Sequence, residues 1–464
     1  MIPAHELTEA ALAASKADGC IVLLTETSEA NLRWANSTMT TNGHTTTRSF
    51  AVISVLAGAD GPGVGTVSGN GADLDEVTAV VAASEEAARQ AGPARDVAPL
   101  IADTADDDFD TPAVGTEIAV FAKLAEELAT EFGRSGSGGP GSRELLYGFA
   151  EHRIETTWLA SSTGLRRRWV QPTGTVELNA KIADDLTRSA WAGSYTTDFT
   201  DIDLTALSSE VRRRLSWSRR RVELPAGRYE TILPPSAVAD LMIYMSWEME
   251  GRAAHEGRSP FAAPGGGTRL GERLTGLPLT LSSDPFAAGL RTAPFLATAA
   301  SSDAVSVFDN GTAIGRVDWL RSGTVNALAY PRAAAEELGG QFTPPPENLL
   351  LTGGSAASVD DLVAHTERGL LLTCLWYIRE VDPTSLLLTG LTRDGVYRVE
   401  GGEVVGQVNN FRFNESPIDL IRRASEVGAT ERTVCREWKD WFARTAMPPV
   451  RVPGFNMSSV SQAS

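Results

Sequence analysis

The sequence predicts an α+β protein of two or three domains, with mainly antiparallel sheets and helices packed on one face. Three observations carry that prediction. At 464 residues the chain exceeds what one core holds, since domains run to roughly 150 residues. Runs rich in threonine, β-branched and aromatic residues follow one another across short turn signals, the pattern of an antiparallel meander. Helical periodicity is confined to separate stretches between these strand groups. With 42% hydrophobic and 22% charged residues, the composition is that of a soluble globular chain.

The elements follow in order. Leu7, Ala10, Ala11 and Ala14 recur at helical spacing and Asp18-Gly19 supplies a stop, so a helix is expected over 6–17. Strands are expected over 21–25, 32–39 and 49–56, with Asn42-Gly43 as the hairpin turn between the last two. Asp73 followed by Glu76 is a capping-box pattern ahead of Leu74, Val77, Val80, Val81 and Ala88, which predicts a second helix. Between 92 and 116 the composition shifts to Pro, Ala and Asp and periodicity disappears, as in a linker. Its acidic run, Asp106 to Asp108, lacks the glycine and terminal glutamate of a calcium loop.

A helix is expected over 117–132, then a Gly/Ser loop over 133–142, and strands over 147–159 and 165–178 around the turn Ser161 to Gly164. A helix over 206–219 leads to Leu224-Pro225-Ala226-Gly227, which fits a domain boundary. Beyond it come a strand over 229–233, Pro234-Pro235, and a helix whose apolar positions Val238, Leu241, Met242, Met245 and Met249 form an inner face without an ionisable ligand. The remainder reads as short strands separated by turns such as Asp309-Asn310-Gly311 and Asp394-Gly395, with helices over 332–338 and 359–368. The expected units are an N-terminal α+β unit over 1–92, a linker over 93–116, a middle α+β unit over 117–224 and a mostly β C-terminal unit over 225–464.

A net charge of −18 repels phosphate backbones and anionic membrane surfaces, which argues against nucleic acid and membrane partners. The arginine triplets at 166–168, 212–214 and 219–221 read as solvated faces or domain contacts. The longest apolar run, 370–378, reads as a buried strand, far short of the ~20 residues a membrane-spanning helix needs. No basic start leads into an apolar stretch at the N-terminus, so the expected location is the cytoplasm. Three widely spaced cysteines, Cys20, Cys374 and Cys435, form no disulfide framework and no Cys-x-x-Cys metal knuckle.

Most catalytic constellations fail at the level of residue inventory. There is no nucleophile elbow and no phosphate-binding Gly-x-x-x-x-Gly-Lys-Ser/Thr loop, and the glycines at 63–65 and 265–267 read as plain loops. The five histidines, at 5, 44, 152, 255 and 365, form no His-x-x-x-His or His-Glu-x-x-His pattern. His255-Glu256 is the closest approach to a ligand pair, and it also reads as a solvated helix end. Cys374 reads as a small core residue. Cys435 stands beside Arg436, a cation of the kind that lowers a thiol pKa, but without a histidine partner.

Several strings in fixed order resemble the TldD/TldE (PmbA) peptidase family across nearly the whole chain. The first helix ending at Asp18-Gly19, the strand pairs and the helix after Asp73-Leu74 look like the family's N-terminal domain. Ser162-Thr163-Gly164 stands where the family has an Asn-Ser-x-Gly turn, with the asparagine absent. Gly227 to Leu233 resembles the strand entering the C-terminal domain, and Ser259-Pro260-Phe261 the Ser-x-Phe after its first helix. Phe308-Asp309-Asn310-Gly311 resembles the Asp-x-x-Gly turn, and Pro449 to Val452 the closing strand.

In the catalytic branch that first helix carries His-Glu-x-x-x-His, whose imidazoles bind the metal while the carboxylate activates water. Those positions fall on Met242, Ile243 and Trp247 here, and the family's cysteine ligand falls at or near Cys435. The resemblance therefore implies the TldE/PmbA-like branch: a non-catalytic subunit with no metal or cofactor of its own, zinc residing in a TldD-like partner, and extended or unfolded peptides as substrates. Two other readings stay open. One is a metallopeptidase with rearranged ligands drawn from His255, Glu256, His365 or Cys435; the other is a homo-oligomeric peptide-binding protein.

Overall fold

In the computed structural model, residues 2–70, 73–135, 143–393 and 395–461 are described. Strands β1 (Gly19–Ala35) and β2 (Thr38–Leu56) form one long hairpin whose turn is at Asn36 and Ser37, with φ of 52° and 57°. Two consecutive left-handed residues are what a type I′ turn requires, and its twist matches the strands. Ser37 is also held on both sides of the peptide by Leu146, its N–H donating to the carbonyl (2.9 Å) and its hydroxyl accepting from the N–H (3.0 Å). The expected turn at Asn42-Gly43 is therefore mid-strand, opposite Leu32 and Asn31, and three expected strands are two long ones.

With β3 (Gly63–Gly69), β4 (Glu144–Ser161), β5 (Arg166–Ile182) and β6 (Asp185–Thr196), these build a fully antiparallel sheet of order β3-β2-β1-β4-β5-β6. The pairing of β1 with β4 runs from Ile21↔Ser161 to Trp34↔Gly148, so strands from the expected first and middle units share one sheet. β6, short of β-branched residues, was not among the expected strands.

Residues of one parity on β1 face the helices. Val22 and Leu24 pack with α1 (Ala4–Ala14) and α2 (Leu74–Gln90), while Leu32 and Trp34 pack with α3 (Ala122–Ser135) and α4 (Leu204–Trp217). Period-2 alternation thus puts all four helices on one face. The other face meets Phe295, Val307 and Phe308 of the C-terminal region. Asp73 caps α2 by accepting from the Glu76 N–H (2.9 Å), while the Glu76 carboxylate turns to the Asn70 N–H (3.1 Å). Helix α3 extends to Ser135, and the rest of the expected Gly/Ser loop, 136–142, lies outside the described residues, as does Asp394.

Gly63 and Gly65 belong to β3 rather than to a loop. A Cβ on either would stand 2.2 Å from a backbone oxygen of α2, Ala88 or Ser84, so the close helix–strand contact depends on glycine. Gly65→Ala is expected to cost about 1–3 kcal/mol by overpacking, read as a lowered urea midpoint; an unchanged midpoint would show that the contact yields freely.

Segment 93–116 is irregular but tied down. Arg167 pairs with Asp103 and with Asp106 (3.1 Å), and Arg168 with Asp108 (2.9 Å). The second triplet also makes contacts between elements: Arg212 reaches Glu131 (2.6 Å) and Glu144 (2.9 Å), and Arg213 reaches Asp360 (2.7 Å).

After β7 (Arg221–Val222) and β8 (Gly227–Leu233) comes α5 (Pro235–Trp247), in which every residue from Ala237 to Ser246 is buried. A helix buried all round is a core helix rather than an amphipathic one. It contacts β8 of a ten-stranded sheet and strands Glu431–Thr433 and Thr445–Met447 of a second six-stranded sheet. The apolar run 370–378 is not one strand. It breaks at Thr373, whose N–H and hydroxyl both donate to the Gly395 carbonyl (2.8 and 3.2 Å), leaving strands Arg368–Leu372 and Leu375–Asp382 at separate places in the ten-stranded sheet. No described helix is long and apolar enough to cross a membrane.

Candidate functional site

The residues expected at the family's metal positions lie along α5, which Pro235 starts by occupying a position whose N–H would have no helical partner. Met242 and Ile243 are fully buried in the C-terminal core, while Trp247, at the last turn, is 38% exposed. Cys435 packs in the same core, and its thiol lies 3.1 Å from the Phe442 carbonyl. Burial, and then the nearby Asp240 carboxyl, push that thiol well above its usual range. The neighbouring Arg436, a cation of the kind that lowers a thiol pKa, is directed elsewhere. The Arg436 guanidinium instead contacts the Cys374 sulfur and lies between the Trp191 and Trp376 rings, 5.3 and 5.2 Å from their centroids.

A thioether, an alkyl chain, an indole and a protonated thiol do not supply the imidazole, carboxylate and thiolate donors that hold zinc, so these residues do not fit the ion. The alternative ligands are dispersed. His255 stands edge-on to Tyr330 (6.2 Å between centroids), Glu256 pairs with Arg258 (2.6 Å), and His365 bonds Glu426 (2.9 Å). Among the described residues no three His, Cys, Asp or Glu side chains gather in a way that could hold a metal ion.

Asp240 is an acidic residue of α5 that its apolar positions do not reveal. It is 1% exposed and accepts the Glu437 N–H at 2.9 Å. Burial pushes its carboxyl up to about 8, with the Glu437 charge adding to the rise. Glu437 in turn accepts the N–H groups of Tyr377 (3.0 Å) and Ile378 (3.1 Å), at a bulge where Tyr377 takes φ 52°. A bulky residue in the left-handed region persists only when its surroundings hold it there, and such bulges re-aim side chains at functional surfaces.

At the exposed end of α5 three rings meet edge to face: Trp247 with Trp438 (4.8 Å), Tyr244 with Trp438 (5.4 Å) and Tyr244 with Trp247 (5.5 Å). The Tyr244 hydroxyl donates to the Ile378 carbonyl (2.8 Å), fixing the trio to the bulged strand. Beside it stand Glu248 and Glu380; burial first, then the Glu380 charge, raise the Glu248 carboxyl to about 7. An Asp inside an apolar helical run was the signal for Asp240; nothing in the sequence pairs Glu248 with Glu380.

The model described as the PmbA/TldA metallopeptidase C-terminal domain matches residues 226–459, and that of the PmbA/TldA metallopeptidase central domain matches 109–219. No curated protein matches the sequence. Among solved structures, TldE from Thermococcus kodakarensis is similar with a TM-score of 0.76 and 14% identity, covering 97% of this chain and 98% of that one. A protein described as a modulator of DNA gyrase from Bacteroides thetaiotaomicron gives 0.74 and 15%, covering 98% of each chain. Another so described, from Thermotoga maritima, gives 0.72 and 16%, covering 97% of this chain and 99% of that one. At these identities the structural likeness speaks to the fold, while the C-terminal model alone spans half the sequence. This chain belongs to the PmbA/TldD metallopeptidase family.

Proposed function

We propose that the chain is a non-catalytic, TldE-like subunit that joins a TldD-like, zinc-bearing partner in a cytoplasmic complex acting on extended or unfolded peptides. The observation that carries this reading is the chemistry at the motif positions: Met242 and Ile243 are buried, Trp247 is an indole, and Cys435 is held as a thiol. The likeness to a TldE over nearly the whole chain supports the same branch. The net charge of −18 favours peptides over nucleic acid.

Metal content by plasma mass spectrometry, with hydrolysis of an unstructured peptide, tests it. The expected outcome is no stoichiometric metal and no hydrolysis for the chain alone, and both for the chain co-purified with its TldD-like partner. Stoichiometric zinc and hydrolysis in the lone chain would replace this reading with the rearranged-ligand one. Self-association with peptide binding, and no complex with the partner, would favour the homo-oligomeric one.

A further inference from the structure

We propose that the exposed end of α5 is a subsite for a lysine or arginine side chain of a bound extended peptide, with Glu248 and Glu380 flanking the cation and Trp247 and Trp438 covering its aliphatic stem. The inference rests on the peptide-handling reading above and adds a side-chain preference to it.

The first ground is shape. The Tyr244, Trp247 and Trp438 trio presents Trp247 to solvent, and on the neighbouring strand Tyr377 and Val381 are 56% and 55% exposed. An exposed apolar patch with a polar rim marks an interaction surface. The surface already stacks one cation of its own, since Arg379 lies 4.3 Å from the Tyr377 ring centroid. Lysine and arginine suit such a place, because their stems cover apolar surface while their heads reach polar groups.

The second ground is charge. The groups acting on Glu248 are acidic, Glu380 and Glu250. On the neighbouring strand Arg379 is engaged by Glu437 (3.3 Å). Helix α5 has no basic residue in its last turn, so the negative end of its dipole also lacks a compensating cation. Two carboxylates drawn together at a helix C-terminus, with aromatic faces alongside, are complementary to one organic cation. A calcium-type ion fits less well, because it takes 6–8 oxygen ligands and among the described residues no three His, Cys, Asp or Glu side chains gather in a way that could hold a metal ion.

The test uses the full chain, alone and co-purified with its TldD-like partner. Fluorescein-labelled unstructured peptides, identical except for one central lysine, norleucine or glutamate, are titrated at low salt and read by anisotropy. The lysine peptide is expected to bind about tenfold tighter than the norleucine one, and the glutamate peptide more weakly than either. Glu380→Gln, at an exposed position that leaves the core intact, is expected to bring the lysine peptide to the norleucine value and leave the norleucine peptide unchanged. Trp247→Ala should weaken both. Equal binding of lysine and norleucine peptides, or a lysine preference that survives Glu380→Gln, would overturn the subsite and leave the peptide reading standing. Failure of chain and complex to bind any of the peptides would overturn both.

Discussion

Asp240→Asn is expected to flatten a fall of stability that the natural chain should undergo between about pH 4 and about pH 8, the folded-state value of this carboxyl. Its folded pKa is raised, so across that window the folded chain holds a proton that the unfolded chain has released. The contribution is present at low pH and is lost as pH rises, at up to about 1.4 kcal/mol per pH unit. Burial is the main cause, the Glu437 charge adds to it, and the N–H groups of Glu437 and Arg436 oppose it. Asparagine keeps an oxygen for the Glu437 N–H and has no charge to bury. Urea midpoints at about pH 5 and about pH 8 read the effect: the natural chain should lose several kcal/mol more than the variant. Equal losses would mean that Asp240 is ionised throughout.

Arg332→Ala is expected to destabilise the chain by about 3–5 kcal/mol, the cost of leaving one half of a buried ion pair. Asp309 is fully buried, and Arg332 gives it a guanidinium contact at 2.6 Å and a backbone N–H at 3.1 Å. The same guanidinium donates to the carbonyls of Pro99 (2.8 Å) and Phe308, so it also fastens segment 93–116 to the C-terminal region. Lysine should recover little, because one ammonium cannot reproduce that fork. Adding Asp309→Asn should restore part of the loss, since the stranded charge is then gone. Urea unfolding and limited proteolysis of segment 93–116 report both effects. A loss under about 1 kcal/mol, the size for an exposed pair, would place the ion pair in solvent.

Much of the fold was legible because its signals are local. Asp73 and Asp203 cap helices by accepting the N–H three residues on, and Pro235 starts α5, each a matter of a few neighbouring residues. The Ser161 to Gly164 turn appears as expected, with Gly164 at φ 94°. The hairpin turns at Asn36-Ser37 rather than Asn42-Gly43 although both pairs carry turn propensity, and the bonds from Ser37 to Leu146, on a strand far along the chain, go with the first of these. The run 370–378 looks like one strand in sequence because its break depends on Gly395, beyond any local window.

The same division holds at the candidate site. By itself the sequence determined which side chains α5 carries: Met242, Ile243 and Trp247 offer neither an imidazole nor a carboxylate, and residue identity needs no coordinates. It also determined the α+β class, since caps, turns and periodicity are properties of short segments. Only the tertiary structure decided that strands from the expected first and middle units join one sheet, that Asp240 is sealed inside a helix buried on every side, that Cys435 stays a thiol while Arg436 turns to Cys374, and that Glu248 meets Glu380. Each depends on residues distant in sequence being brought within a hydrogen bond's reach, and on how much water that packing leaves behind.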